Sequence, residues 1–208
     1  MKNTKRKIID IAIRLFNQYG FKNVGLKQIA QQLKISNGNL NYHFQKKDDL
    51  IFSCYEQLNE ELTQILARFK SYPDIEAILQ QATIIYHFQS KYRFFYLDIL
   101  EICRAYPAIA QEFKNHFANS FQHIQNTFTY CVNMGLFNQE TIPDTYYHLA
   151  QTIWQQGVFW QTRQVVLEKD INDAEDFIRG ILGLCYPYLT EKGLQELQAA
   201  EQQLSIKK

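Results

Sequence analysis

Apolar side chains recur with a helical period along almost the whole chain, and very little interrupts them. In 208 residues there are 8 glycines and 4 prolines. A β fold of short strands needs such breakers every few residues, so their scarcity predicts long helices. The i, i+3, i+4 pattern dominates, and no convincing strand run appears. The fold class expected is therefore all-α. No internal repeat or low-complexity segment stands out.

The periodicity places the first helix over about Thr4–Tyr19, with Ile8, Ile11, Ala12, Leu15, Phe16 and Tyr19 as its apolar stripe and Gly20 as its stop. Short helices follow at about Leu26–Leu33 and Asn37–Phe44. A long one starts near Lys47, where Asp48 and Asp49 suit the positive end of the helix dipole. Further helices are read at Asp74–Gln89, Arg93–Ala105, Pro107–Met134, Asp144–Leu167, Asp173–Tyr186 and Glu191–Leu204. Asp144, Asp173 and Glu175 lie at or near helix starts, where acidic residues are favoured.

Charge is distributed unevenly. Residues 1–50 carry 10 Lys/Arg and 3 Asp/Glu, giving 10 − 3 = +7, and the remainder carries 12 and 18, giving 12 − 18 = −6. A basic head on an acidic body points to a polyanion met by the head alone. Cys54, Cys103, Cys131 and Cys185 have neither CxxC nor metal-ligand spacing, and all sit among apolar residues. They are read as buried free thiols of a cytoplasmic protein. No apolar run is long enough to span a membrane or resembles a signal peptide.

The segment Leu26–Leu50, LKQIAQQLKISNGNLNYHFQKKDDL, is the informative one. Ile29, Ala30 and Leu33 form the inner face of one short helix, Ile35 plugs the turn, and Leu40 and Phe44 form the inner face of the next. Two short helices joined by so tight a turn match a helix-turn-helix unit. The small Ala30 lets the helices cross closely. Ser36 is placed to cap the second helix, with the N–H groups of Asn37, Gly38 and Asn39 pointing outward, a favourable setting for phosphate. Asn37, Asn39, Asn41, Tyr42 and His43 are then exposed. Asparagine can pair bidentately with adenine in the major groove, but Asn residues also serve as turn and cap residues. Gly38 would admit close approach of the backbone to DNA. Lys47 and Lys27 are candidate phosphate contacts. Lys5, Arg6 and Lys7 could form a minor-groove arm or a tail.

These residues resemble the tetracycline-repressor (TetR) family, whose pattern I-A-x-x-x-x-V/I-S-x-G-x-L-Y-x-H-F-x-x-K-x-x-L appears as Ile29-Ala30, Ile35-Ser36, Gly38, Leu40, His43-Phe44, Lys47 and Leu50. The match covers about residues 4–52. Asn41 replaces the usual Tyr, with Tyr42 next to it. Lys34 stands at a turn position often held by Gly, and Gly25 takes the place of a Thr or Ser cap. The resemblance implies a DNA-binding domain over residues 1–48 and a ligand-binding and dimerisation domain over 49–208. It implies a homodimeric repressor that places its second short helix in successive major grooves of a palindromic double-stranded operator. A small-molecule effector would release it. His43 is a phosphate contact on this reading.

In the body, Phe113, Phe117, Phe121, Ile124 and Phe128 share a helix face, which is either plain core or the wall of an apolar pocket. Tyr55, Tyr86, Phe88, Phe95, Ile99, Trp154 and Val158 are candidates to line the effector site with Phe117 and Phe121. His116 and His123 have no third ligand at metal spacing, so neither a metal nor a cofactor is expected. The last two large helices, with Gly157, Gly180 and Gly183 allowing close approach and Phe159, Trp160 and Leu184 facing outward, are the expected dimer interface. An enzyme is not expected, because no nucleophile motif, phosphate loop or carboxylate pair is present. A carrier without a DNA role conflicts with the basic head. An architectural DNA-binder would need a body without a cavity.

Overall fold

A computed structural model describes residues 2–69, 72–169 and 174–206. The helices are α1 (Lys2–Tyr19), α2 (Leu26–Leu33), α3 (Asn37–His43), α4 (Lys47–Leu66), α5 (Ile75–Lys91), α6 (Arg93–Leu97), α7 (Ile99–Ala105), α8 (Pro107–Asn133), α9 (Thr145–Val166), α10 (Ala174–Cys185) and α11 (Glu191–Ile206). Among the described residues, extended pairing is limited to one isolated bridge, Phe137 with Leu189. The all-α class is as the periodicity requires. Two compact units emerge, Met1–Ala67 with Lys91–Gln111 and Arg68–Ser90 with Glu112–Lys208.

In the first unit α1 packs on α2, α4 and α6, and α2 packs on α3. Ile8, Ala12 and Phe16 of α1 are buried, as are Val24, Ile29, Ala30, Leu40, Phe44, Leu50 and Cys54. The stripe on α1 is rotated from the expected one. Ile9 and Ile13 are also buried, whereas Tyr19 is 47% exposed. The reason lies in the wrap of α2, α4 and α6 around α1, which covers a wider face than a single helical stripe. The segment read as one helix over Arg93–Ala105 is two helices, interrupted at Asp98. The Asp98 carboxylate there accepts the Phe21 N–H, which ties the break to the loop after α1.

In the second unit one core gathers Ile75, Leu79, Phe128, Cys131, Leu136, Phe137, Tyr146, Leu149, Ala150, Leu197 and Ala200. Phe128 stacks on Tyr146 with ring centroids 5.1 Å apart. A smaller cluster holds Tyr86, Trp160 and Phe177. Asp74 caps α5, accepting the Ala77 N–H at 2.7 Å. Asp144 does not cap α9 with its side chain. It is left-handed, with φ 63°, and Glu140 accepts the Tyr146 N–H at 2.6 Å instead. Residues 170–172 of the charged turn and the expected helix start at Asp173 lie outside the described residues.

The glycines act differently from expectation. A Cβ on Gly180 would collide with the flexible end of Gln156, whereas one on Gly183 would meet open space. Gly193, at the start of α11, is the tight one, because a Cβ there would run into the Leu136 carbonyl. Trp160 is 5% exposed and packs edge-on against Phe177, so it belongs to the unit's own core and is not an outward residue. Leu184 is likewise half-buried, packed against the larger core. Cys54 and Cys131 are buried free thiols, but Cys103 and Cys185 are partly exposed.

Candidate nucleic-acid interface

The helix-turn-helix is framed by three residues at its helix ends. Gly25 precedes α2 in an extended conformation. Lys34 closes it in the left-handed region at φ 55°, ψ 39°, with its N–H reaching the Gln31 carbonyl. A non-glycine residue there costs about 1–2 kcal/mol. Ser36 then starts α3: its Oγ accepts the Asn39 N–H at 3.1 Å. The cap therefore uses Asn39, so the outward N–H groups at this end are those of Asn37 and Gly38, not all three. Leu40 and Phe44 anchor α3 inward and are buried.

Opposite that anchor the helix is open. Asn37, Gly38, Asn39 and Asn41 are exposed, and Tyr42 is 71% exposed. His43 is half-buried with its ring edge-on to Tyr42, centroids 5.2 Å apart. A Cβ on Gly38 would meet Ser36 Oγ only at 3.9 Å, so nothing inside the chain demands glycine. Lys27 and Lys34 are exposed on α2 and in the turn.

Lys5, Arg6 and Lys7 belong to the first turns of α1, so they form neither an arm nor a tail. The Lys5 ammonium sits 5.5 Å from the centre of the Phe44 ring. Lys47 is more constrained than its position suggests. Its ammonium donates to the Lys22 carbonyl at 3.1 Å and lies 5.6 Å from the Phe21 ring centre. Partial burial pushes its pKa below the ordinary lysine value, with Asp48 pulling the other way. Lys46 donates its backbone N–H to Asp49 at 3.1 Å, which satisfies the first turn of α4.

The residues singled out for an effector fall into separate groups. In the first unit Tyr55 and Phe95 are buried with ring centroids 5.3 Å apart, and Ile99 is buried nearby in sequence. In the second, Tyr86 packs on Phe177 at 5.3 Å. Phe88 and Val158 are buried there. Phe117 stacks over Phe121 and meets Trp154 edge-on at 4.5 Å, all three half-buried. A cleft of about 400 Å³ is lined by Gln156, Phe159, Trp160, Arg163, Asp176 and Gly180 of α9 and α10. None of the nine candidates touches it. Among the described residues, no three His, Cys, Asp or Glu side chains come together as a metal site would need.

Two family models match the chain. Residues 8–54 match the bacterial regulatory proteins of the tetR family, and residues 55–197 match the TetR bacterial transcriptional repressor model. The chain belongs to the TetR family. It is a DNA-binding transcriptional regulator and not an enzyme. An HTH-type transcriptional regulator of Staphylococcus aureus (strain USA300) is 34% identical over 73 residues, 35% of this chain. The match spans 38% of that relative's length. A TetR-family regulator from Marinobacter aquaeolei VT8 superposes with a TM-score of 0.84 at 23% identity, over 96% of this chain and 98% of that one. AibR, solved with isovaleryl coenzyme A and operator DNA, gives 0.65 at 16% identity, over 89% and 99%. A Saccharomonospora viridis regulator solved with choline gives 0.69 at 18%, over 88% and 97%. At these identities the likeness concerns the fold. No described helix of this TetR-family chain is long and apolar enough to cross a membrane.

Sequence reasoning missed the polar contacts that hold the head's rear. Nothing in the sequence marks Asn17, Glu61 or Tyr106, because partners up to 77 residues apart leave no local pattern.

Proposed function

We propose that the protein is a homodimeric repressor that reads a palindromic operator through α3 and leaves it when a small, largely apolar effector binds. The observation that carries the DNA reading is the Ser36-capped α3. It turns Asn37, Gly38, Asn39, Asn41 and Tyr42 outward from a unit whose first fifty residues carry the +7 charge. Asn37 and Asn39 are the base readers in this account. Ser36, Lys27, Tyr42, His43 and Lys47 position the backbone of the duplex. The described bonds of Lys47 leave it free ammonium protons for a phosphate. DNA contact ends near residue 48, and effector binding and dimerisation belong to the rest.

Dimerisation through α9 and α10 is supported by Phe159, Val166, Leu167 and Tyr186, large apolar residues left exposed on or beside these helices. The half-buried rings of Phe117, Phe121 and Trp154 support an apolar effector. The bound molecules of the S. viridis regulator and of AibR differ from each other in chemistry, so the fold alone does not select one.

The test is selection of random duplexes on the purified protein. An inverted repeat is expected. Asn39→Ala should then relax the preference at one position of each half-site by about 1–3 kcal/mol, with the rest of the site unchanged. Recovery of sequences without a shared motif would sink the reading.

A further inference from the structure

The second unit holds a cleft that neither the DNA reading nor the effector residues use. Its walls follow from helical period. Gln156, Phe159, Trp160 and Arg163 recur at i, i+3, i+4 and i+7 along α9, and Asp176 and Gly180 stand one turn apart on α10, so the six positions converge on one space of about 400 Å³. All six belong to the second unit. Gly180 keeps the space open: a Cβ there would run into the Gln156 amide and lie 3.6 Å from the Trp160 ring.

Two opposite charges line this cleft without bonding to each other. The Arg163 guanidinium and the Asp176 carboxylate are 4.0 Å apart, beyond hydrogen-bond reach, and both side chains are about half exposed. So loose and solvated a pair contributes little to stability. Each charge is nevertheless held in place. Arg163 lies over the Trp160 ring, 5.3 Å from its centre. Asp176 accepts the Gln164 side-chain N–H at 3.4 Å, and Gln164 is buried, its own carbonyl oxygen without a hydrogen-bond partner among the described residues. Arg179, the next cation along α10, pairs with Glu175 at 2.6 Å and does not line the cleft. Beside the two charges lies apolar surface, the exposed Phe159 ring and the Trp160 ring.

A ligand that fits must satisfy a guanidinium and a carboxylate 4.0 Å apart and cover an aromatic wall at the same time. A simple anion would be repelled by Asp176, and a simple cation by Arg163. A zwitterion meets neither repulsion. In an α-amino acid the ammonium and the carboxylate hang from one carbon, close enough to lie side by side with the Asp176–Arg163 pair, each next to its opposite. The guanidinium fork matches a carboxylate bidentately, and an ammonium has three protons to share between the Asp176 carboxylate and the Gln156 carbonyl. We propose that the α9–α10 cleft is a second ligand site, and that it takes a free α-amino acid with an apolar side chain. Arg163 receives the carboxylate, Asp176 the ammonium, and Phe159 and Trp160 the side chain. The site needs neither DNA nor a dimer, although Phe159 is also among the residues assigned above to dimerisation.

The probe is L-leucine, titrated into the full chain by calorimetry. N-acetyl-L-leucine keeps only the carboxylate, and L-leucinamide keeps only the ammonium, which stays charged at about pH 6.5. Each should bind about tenfold more weakly than L-leucine, the effect of losing one charge-assisted contact. Two variants assign the ends. Asp176→Asn should bind L-leucine about tenfold more weakly and lose the preference for it over N-acetyl-L-leucine, while Arg163→Gln should lose the preference over L-leucinamide. Both side chains are half exposed, so both variants keep the fold, and general loosening of α9 and α10 would not give this crossed pattern. No binding of L-leucine, equal binding of the three compounds, or variants that keep the wild-type preferences would each overturn the site. Sedimentation of the same sample separates the site from the dimer reading. A monomer that binds L-leucine would sink dimerisation alone, and a dimer that does not bind it would sink the site alone.

Discussion

The two units finish their surfaces differently. In the head, large apolar side chains such as Ile8, Phe16, Ile29, Leu40, Phe44 and Leu50 are almost fully enclosed, and the outer face of α3 is largely polar. In the second unit the aromatic face of α8 and α9 is only half covered, with Phe117, Phe121 and Trp154 all partly exposed. Polar atoms there are buried without a partner among the described residues: Trp160 Nε1, Gln161 Oε1 and Gln164 Oε1. Leaving a buried polar group unpaired costs about 1–3 kcal/mol, and half-covered rings leave burial energy unrealised. The lesson is that the head encloses its apolar side chains and offers polar groups outward, while the second unit leaves aromatic surface half covered and carries its unpaired polar atoms inside. That contrast favours placing assembly and effector binding in the second unit.

The contrast can be broken most directly by truncating one side chain in each region. Leu40→Ala removes a fully buried anchor and should cost about 2–5 kcal/mol. Phe117→Ala, from a half-covered ring, should cost nearer about 1–2 kcal/mol, part of the loss expected for a buried Phe. Urea denaturation of the two variants checks the ranking. Equal losses would show that the aromatic face is already as closed as the head's core.

Gly193 and Gly183 sharpen the comparison within the second unit. Gly193→Ala drives a methyl into the Leu136 carbonyl and should destabilise by about 1–3 kcal/mol. Gly183→Ala faces open space in a helix and should stabilise by up to about 1 kcal/mol. Thermal melts at several protein concentrations would decide. A loss for Gly183→Ala that grows on dilution would mean that this open face is covered in an assembly.

The smallest effect expected is a pH slope. Burial lowers the pKa of His123 below its ordinary value of 6.5. The unfolded chain therefore binds a proton more readily. The stability contributed by the neutral ring is present above about pH 6.5 and is lost as pH falls through the lower folded value. His123→Gln should flatten the slope of stability against pH below neutrality. An unchanged slope would assign the pH dependence to other groups.

Much of the head was legible in the sequence because its signals are local. Ser36 and its acceptor role lie three residues from Asn39, the left-handed Lys34 closes its own helix, and the buried faces of α2 and α3 follow from helical period. The rest needed contacts that period does not encode. The rotation of the buried face on α1 depends on three neighbours. Helical spacing gives Trp160 a face but not its partner, here Phe177, so the outward expectation fails. Nothing local marked Asp98 as a break in the helix read from Arg93 to Ala105.

By itself, the sequence determined that this chain is helical, that its basic end carries a Ser36-capped second short helix, and that the family pattern runs from Ile29 to Leu50. All of these rest on interactions within a few residues, where backbone geometry and side-chain identity suffice. The tertiary structure alone decided that Lys47 is tied to the Lys22 carbonyl, that Gly193 and not Gly157 is the close approach, and that Asn17 grips the α5–α6 break. Those depend on which distant backbone group arrives beside a side chain, and that is settled only when the whole core packs.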